Sequence, residues 1–272
     1  VGDDVTNLKE GQHVVVRPLD HCGDCPACDA GHIHVCHNLK FLGLDTDGAF
    51  QQRWNVPAHT VHVLPDDLSL AHAALVEPVS VACHDVRRGA VKQGEDVLVI
   101  GGGPIGMLVG MVAKEAGANV VISEVSEARL AIAEKLGFTA LNPREVNVAE
   151  KVTELTANKG ADVVFEVSGT QAGVDTMTEA AACRGRIVMV AIHPKKPEID
   201  MFKFFWRELE LFGARVYAPE DYEHAIKLVT SGGIDADTMI TDVGNLETIQ
   251  ASFEALEGNP SSMKSLIKCM AD

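Results

Sequence analysis

The sequence predicts an α/β protein, a doubly wound parallel sheet joined to a smaller all-β region that carries a metal lobe. Three observations predict it. From Asp96 onward, short apolar runs alternate with stretches of helical spacing, as expected for strands buried on both faces of a parallel sheet. VLVIGGGPIG, from Val97 to Gly106, joins one such run to a helix through G-x-G-x-x-G spacing. Cys22, Cys25, Cys28 and Cys36 fall within fifteen residues, in a stretch otherwise rich in turn formers.

Residues 1–65 read as short strands joined by turns. The strand His13–Arg17 follows a Glu10-Gly11 turn and stops at Pro18. Phe41–Leu44, Trp54–Val56 and Thr60–Val63 are further strand candidates, with Asp47-Gly48 a turn signal. Pro65–Glu77 contains a short helix that Asp67 or Ser69 caps, and Pro78 opens a helix over Val79–Arg88. Strands are then expected at Val97–Ile100, Val120–Ser123, Asp162–Phe165, Ile187–Ala191 and Glu208–Phe212. Helices are expected at Ile105–Ala116, Glu127–Leu136, Val148–Asn158, Ala172–Cys183 and Glu220–Thr230. Gly137, Gly160 and Gly185 punctuate three helix ends. Met239–Val243, a helix over Leu246–Leu256 and the strand Ser265–Met270 close the chain.

The glycine-rich turn points to a dinucleotide. Gly101 allows the tight turn, Gly103 lets a pyrophosphate approach the backbone, and Gly106 lets helix and strand pack closely. Pro104 and Ile105 start a helix whose free N–H groups face the phosphates. Glu124, 18 residues after Gly106, ends the next strand, where a carboxylate accepts the adenosine ribose hydroxyls and repels a 2′-phosphate. NAD is therefore expected over NADP, with Arg129 close enough to soften that preference. Loops after strand C-ends bind ligands in such sheets, so Ser168 and the 191–193 loop should flank the cofactor. His193 there reads as an ordinary surface-loop histidine.

The cysteine lobe has the pattern C-x2-C-x2-C-x7-C. Four thiolates close a tetrahedral shell around zinc and leave no open position, so Cys22, Cys25, Cys28 and Cys36 would hold a structural ion. Two disulfides or an iron–sulfur cluster are the alternatives. His32, His34 and His37 lie nearby and read as solvated loop residues, because four cysteines saturate the ion. Cys83, Cys183 and Cys269 are scattered and read as buried small hydrophobes.

The chain has 272 residues, 46% of them hydrophobic and 23% charged, which is ordinary for a soluble protein of two domains. Its net charge of −16 argues against nucleic acid or an anionic membrane as partner. No apolar run reaches the ~18 residues of a membrane span. The reduced, unpaired look of the cysteines suits the cytoplasm.

Together, the cysteine lobe, the EPVSVACH segment, GGGPIG with Glu124 and the closing KSLIKCM strand resemble zinc-dependent medium-chain alcohol and polyol dehydrogenases (sorbitol, butanediol and threonine dehydrogenases). The resemblance implies a GroES-like catalytic domain, N-terminally incomplete, over 1–78 and 215–272, and an NAD-binding Rossmann domain over 79–214. It implies hydride transfer between a secondary alcohol or polyol, or an amino alcohol such as threonine, and NAD, with a catalytic zinc as Lewis acid. It also implies that Glu77 serves at that zinc, directly or through water, that Val190 and Ile192 lie near the nicotinamide, and that Arg215 and Lys264 lie near the cofactor phosphates. The strand Glu208–Phe212 resembles the edge that pairs subunits, so a homodimer or homotetramer is expected. The family's C-G-x-D and G-H-E segments, which carry two catalytic zinc ligands, do not occur in this sequence. Since the chain opens on Val1 within what reads as a folded segment, the expectation is that an N-terminal part is missing and that this polypeptide is inactive by itself. A non-catalytic NAD-binding relative that keeps only structural zinc is the alternative. A zinc-free quinone or enoyl reductase is disfavoured by the cysteine lobe and Glu77.

Overall fold

The computed structural model describes residues 1–270, so residues 271–272 of the expected C-terminal segment lie outside the described residues. Strands β1 (Val14–Val16) and β4 (Val61–Val63) form an antiparallel pair, as do β2 (Leu19–Asp20) and β3 (Lys40–Phe41). Between β2 and β3 lies the cysteine lobe with the single-turn helix α1 (Pro26–Asp29). The expected strand at Trp54–Val56 is not formed. The segment is irregular, and Trp54 donates its indole N–H to the Asp47 carbonyl instead of entering a ladder. Phe41–Leu44 likewise turns back after Phe41, because the Asp45 carboxylate accepts the Phe41 N–H at 2.7 Å.

Helix α2 (Leu70–Ala73) is capped by Ser69, whose hydroxyl accepts the His72 N–H at 3.1 Å. Helix α3 (Val76–Arg88) starts two residues before Pro78 and leads into the main sheet. That sheet contains β5 (Asp96–Ile100), β6 (Asn119–Ser123), β7 (Thr139–Leu141), β8 (Ala161–Glu166), β9 (Ala181–Met189) and β10 (Glu210–Gly213). All pairings are parallel, in the order β10-β9-β8-β5-β6-β7. In chain order this is the 3-2-1-4-5-6 arrangement of dinucleotide-binding folds, which reverses at β5 and so opens a crevice there.

The strands separate two cores by simple alternation. Val97, Val99, Val163, Phe165 and Val188 face one core, with α3 and α4 (Pro104–Glu115). Leu98, Ile100, Val164 and Ile187 face the other, with α6 (Val148–Leu155) and α7 (Gln171–Ala180). Helix α5 (Glu127–Lys135) lies between β6 and β7.

Three parts of the sheet region differ from expectation. β7 has only three residues, too few to show a period. Residues 181–183, expected as a helix end, begin β9, so Cys183 is exposed on a strand; Cys269, after the strand Lys264–Lys268, is partly buried. Only Cys83 of the three is a buried hydrophobe. An unexpected helix, α8 (Met201–Arg207), precedes β10 and ends at Glu208 in the left-handed region (φ 50°). After β10 come α9 (Pro219–Ser231), α10 (Ala236–Met239), β11 (Ile240–Asn245), α11 (Ile249–Gly258) and β12 (Lys264–Lys268), with β11 and β12 pairing in parallel. Helix α9 packs against α3 and reaches the first strands. The Tyr222 hydroxyl donates to the Val16 carbonyl at 2.8 Å, and His62 pairs with Glu223 at 2.6 Å.

One buried carboxylate in α3 carries a stability prediction. Asp85 is 1% exposed and its Oδ2 has no hydrogen-bond partner. Burial, then the charge of Asp221, pushes its pKa well up from the ordinary 3.8. The folded carboxyl thus keeps its proton to higher pH than the unfolded one, so stability falls as pH rises through and above the ordinary carboxylate range. Asp85→Asn should raise stability by about 1–3 kcal/mol at pH 8 and have a smaller effect near pH 4. Urea melts at the two pH values check this, and equal effects at both would refute it.

Candidate functional site: a glycine-turn crevice and a four-cysteine lobe

The crevice lies at the C-terminal end of β5. Gly101 sits at φ +106°, and a Cβ there would lie 3.0 Å from the Ser168 amide nitrogen. A Cβ on Gly106 would lie 1.8 Å from the Gly101 carbonyl oxygen, so only glycine lets α4 start this close to the turn. Around Gly103 the nearest atom to an added Cβ is an Arg129 guanidinium nitrogen, 3.9 Å away. Gly103 is the N-cap of α4 and Pro104 its first residue, with Ile105 next, so the free N–H groups of the first turn stand over this opening. A cavity of about 300 Å³ joins Gly101, Gly103, Glu124, Arg129 and Ser168.

Glu124 is 6% exposed and tightly held. Its Oε2 accepts the Gly102 N–H at 2.8 Å, and its Oε1 accepts those of Val125 and Ser126 at 2.7 and 2.9 Å. Arg129 stands 3.9 Å from Oε2. A carboxylate has about four lone-pair sites, so roughly one, on Oε2, is left for a ligand hydroxyl.

On the other side of the turn, Glu166 ends β8 with 0% exposure. It accepts the Ser168 and Gly169 N–H groups, and His193 Nε2 lies 3.0 Å from its Oε2. His193 is therefore not a surface-loop histidine: its ring is largely buried, with Nε2 against the Glu166 carboxylate. The pairing joins residues 27 positions apart and has no local sequence signal. Val190 is half-buried beside the main core, while Ile192 is 95% exposed.

In the lobe, the four cysteine sulfurs all lie within 4.8 Å of one another, with neighbours at 3.4 to 3.8 Å. Zinc–thiolate bonds of about 2.3 Å place the sulfurs of a tetrahedral site about 3.8 Å apart, so the cluster fits zinc. No disulfide forms. Backbone N–H groups of Cys22, His37 and Asn38 point at these sulfurs, as expected for groups that stabilise thiolates. The His37 N–H, then that of Cys28, pulls Cys25 down to about 6. His32 and His37 are exposed, whereas His34 packs edge-on against His84 at 4.9 Å with a buried Nδ1. His34 is thus not a solvated loop residue. Burial, then His84, lowers its pKa to about 4.

Glu77 lies in the first turn of α3, partly buried. Burial raises its pKa, opposed by a hydrogen bond with Tyr217 and by the charge of Lys264. Burial in turn lowers the pKa of Lys264, which Glu77 partly offsets. The four cysteines are the one group of three or more metal-ligating side chains among the described residues. Glu77 thus has no companions here to complete a catalytic zinc site. Arg215 lies in a different cavity from the glycine turn, stacked 5.3 Å over the Phe41 ring.

A parallel sheet that reverses at a glycine turn, in a chain that also carries a lobe of four clustered cysteines, defines an α/β dinucleotide-binding fold with a lobe that fits a structural metal. Residues 1–66 match the alcohol dehydrogenase GroES-like domain family, and residues 104–231 match the zinc-binding dehydrogenase family. The 2-dehydro-3-deoxy-L-galactonate 5-dehydrogenase of Pseudoalteromonas atlantica is 52% identical over 272 residues, which are 100% of this chain and 80% of that protein. The 2R,3R-butanediol dehydrogenase of Bacillus subtilis superposes with a TM-score of 0.92 at 32% identity, over 98% of this chain and 77% of that one. A zinc-binding dehydrogenase from Sinorhizobium meliloti, bound to NADP, superposes with a TM-score of 0.91 at 30% identity, over 98% of this chain and 79% of that one. The chain belongs to the zinc-dependent medium-chain alcohol and polyol dehydrogenase family. No helix among the described residues is long and apolar enough to cross a membrane.

Proposed function

We propose that the crevice binds NAD and serves oxidation of a secondary alcohol, in a substrate of the polyol or sugar-acid class, and that the 272-residue polypeptide alone binds cofactor and structural zinc without turnover. The observation that carries the cofactor reading is the Gly103 opening beneath the first turn of α4, with Glu124 fixed at its far side. Gly101, Gly103, Pro104, Ile105 and Gly106 would hold the pyrophosphate, Glu124 and Arg129 the adenosine ribose, and Ser168, Val190 and Ile192 the nicotinamide side. Lys264 would approach the phosphates. Glu124 favours NAD, because its buried carboxylate repels a 2′-phosphate, although the Sinorhizobium relative holds NADP. The relatives named for a galactonate derivative and for butanediol both suggest a secondary carbinol. Glu77 would serve at a Lewis-acid zinc, directly or through water, whose other ligands in the family lie in segments that do not occur in this sequence.

The division into a domain of 1–78 with 215–272 and one of 79–214 is supported by the return of α9 to β1 and β4. A homo-oligomer is supported by β10 as an edge strand and by α8, whose Phe202, Phe205 and Trp206 are exposed beside it. The unpaired cysteines suit a reducing compartment.

Metal counting and nucleotide titration test this reading together. The purified polypeptide should contain one zinc per chain, bind NADH more tightly than NADPH by fluorescence, and give no turnover with butanediol or a polyol panel. Two zinc ions, or measurable turnover, would overturn the inactive reading. NADPH binding more tightly than NADH would overturn the NAD assignment. A protein extended to carry C-G-x-D and G-H-E should gain the second zinc and activity. If it gained neither, the non-catalytic alternative would stand.

A further inference from the structure

We propose that the cavity between the cysteine lobe, α3 and the C-terminal end of β10 is an oxyanion site for a small phosphate or carboxylate metabolite, read chiefly by Arg88 and Arg215. The cavity has a volume of about 530 Å³ and is lined by His32 and His34 of the lobe, His84, Arg87 and Arg88 of α3, and Arg215. In a chain of net charge −16, three arginines here face the single lining carboxylate of Glu220.

The arginines have different roles. Arg87 is committed: it grips Asp221 through two hydrogen bonds of 2.7 and 2.8 Å and lies 3.4 Å from Glu220. Asp221 also accepts from His84 at 2.8 Å, so the inner wall is a fixed frame whose acids are already neutralised. Although burial alone would raise it, these bonds from Arg87 and His84 hold the Asp221 carboxyl well below the ordinary range. Arg88 and Arg215 have no carboxylate partner among the described residues. Arg88 spends one N–H on the Gly213 carbonyl and lies over Phe212 at 5.6 Å, which leaves the rest of its fork free. Arg215 makes no hydrogen bond or ion pair among the described residues and rests on Phe41. A guanidinium held over a ring face keeps its N–H donors open, and such donors can meet an oxyanion bidentately. His34 Nδ1, buried without a partner, adds a further unspent polar group.

This site is separate from the cofactor crevice. The two cavities share no lining residue. β10 stands three strands from β5, about 14 Å at the usual spacing. Arg88 lies eleven residues beyond Glu77 on one helix, about 16 Å along its axis. The inference therefore does not depend on the proposed reaction.

Calorimetric titration of the zinc-loaded polypeptide with inorganic phosphate, and separately with gluconate, tests it. At least one probe should bind, the Arg88→Ala/Arg215→Ala double variant should bind it about tenfold or more weakly, and Arg88→Ala alone should weaken the probe with NADH affinity unchanged. Lys195→Ala, a basic residue outside this cavity, should bind the probe as the parent does. Binding of phosphate alone assigns the site to phosphate metabolites, and binding of gluconate alone to sugar-acid carboxylates. Absence of binding by both probes, or equal binding by parent and double variant, would overturn the proposal.

Discussion

Cys25→Ser should abolish zinc binding and release the segment between β2 and β3 as a protease-sensitive loop. The reason is the absence of any other core there. Neither α1 nor the short turn over residues 33–35 contains a buried residue, while Cys25 and Cys36 themselves are buried. A lobe of this kind folds around its ion, and three thiolates leave the tetrahedral shell open to water. His34 would also leave its contact with His84, so the effect should reach the wall of the arginine cavity. Zinc content by metal analysis and limited proteolysis mapped to residues 20–40 check the outcome. Full zinc retention, or an unchanged cleavage pattern, would remove the lobe's assignment as a structural zinc site. NADH affinity should stay unchanged, because the glycine-turn crevice shares no residue with the lobe.

Two glycines three positions apart should both weaken NADH binding when substituted, but only one of them at a cost in stability. Gly106→Ala sets a methyl 1.8 Å from the Gly101 carbonyl, so the start of α4 must shift, at about 3 kcal/mol or more, and NADH binding should be lost with it. Gly103 has an ordinary φ of −72° and an open surround. Gly103→Ala should therefore leave the thermal midpoint within a few degrees while weakening NADH at least about tenfold, because the methyl enters the space for the pyrophosphate. Thermal melts and NADH fluorescence titrations on both variants distinguish the roles. If Gly103→Ala bound NADH as tightly as the parent, the opening beneath α4 would not be the phosphate site.

Local patterns made much of this readable from the chain. Val97–Ile100 has four apolar residues because β5 is covered on both faces, and a glycine turn must follow where the sheet reverses. The cysteine spacing likewise encodes its own geometry, since three loop turns bring four sulfurs together without help from the rest of the fold. Legibility ended where meaning depended on distant neighbours. β7 is too short for a period and becomes a strand only because β6 offers its edge. Trp54–Val56 has strand composition but no partner. Met201–Arg207 has exposed aromatics on a helix, contrary to ordinary amphipathic spacing.

Residue types and short spacings by themselves determined the fold class, the glycine turn, the four-cysteine lobe and the family resemblance, because each leaves its mark in residues spaced within a few turns of the chain. Tertiary structure alone decided which charged groups are spent and which are free. His193 meets Glu166, Arg87 meets Asp221, and Arg88 and Arg215 line one cavity across 127 residues with no ion-pair partner among the described residues. Burial and pairing are properties of the packed chain, so an arginine's availability for a ligand is fixed only when the elements around it are in place.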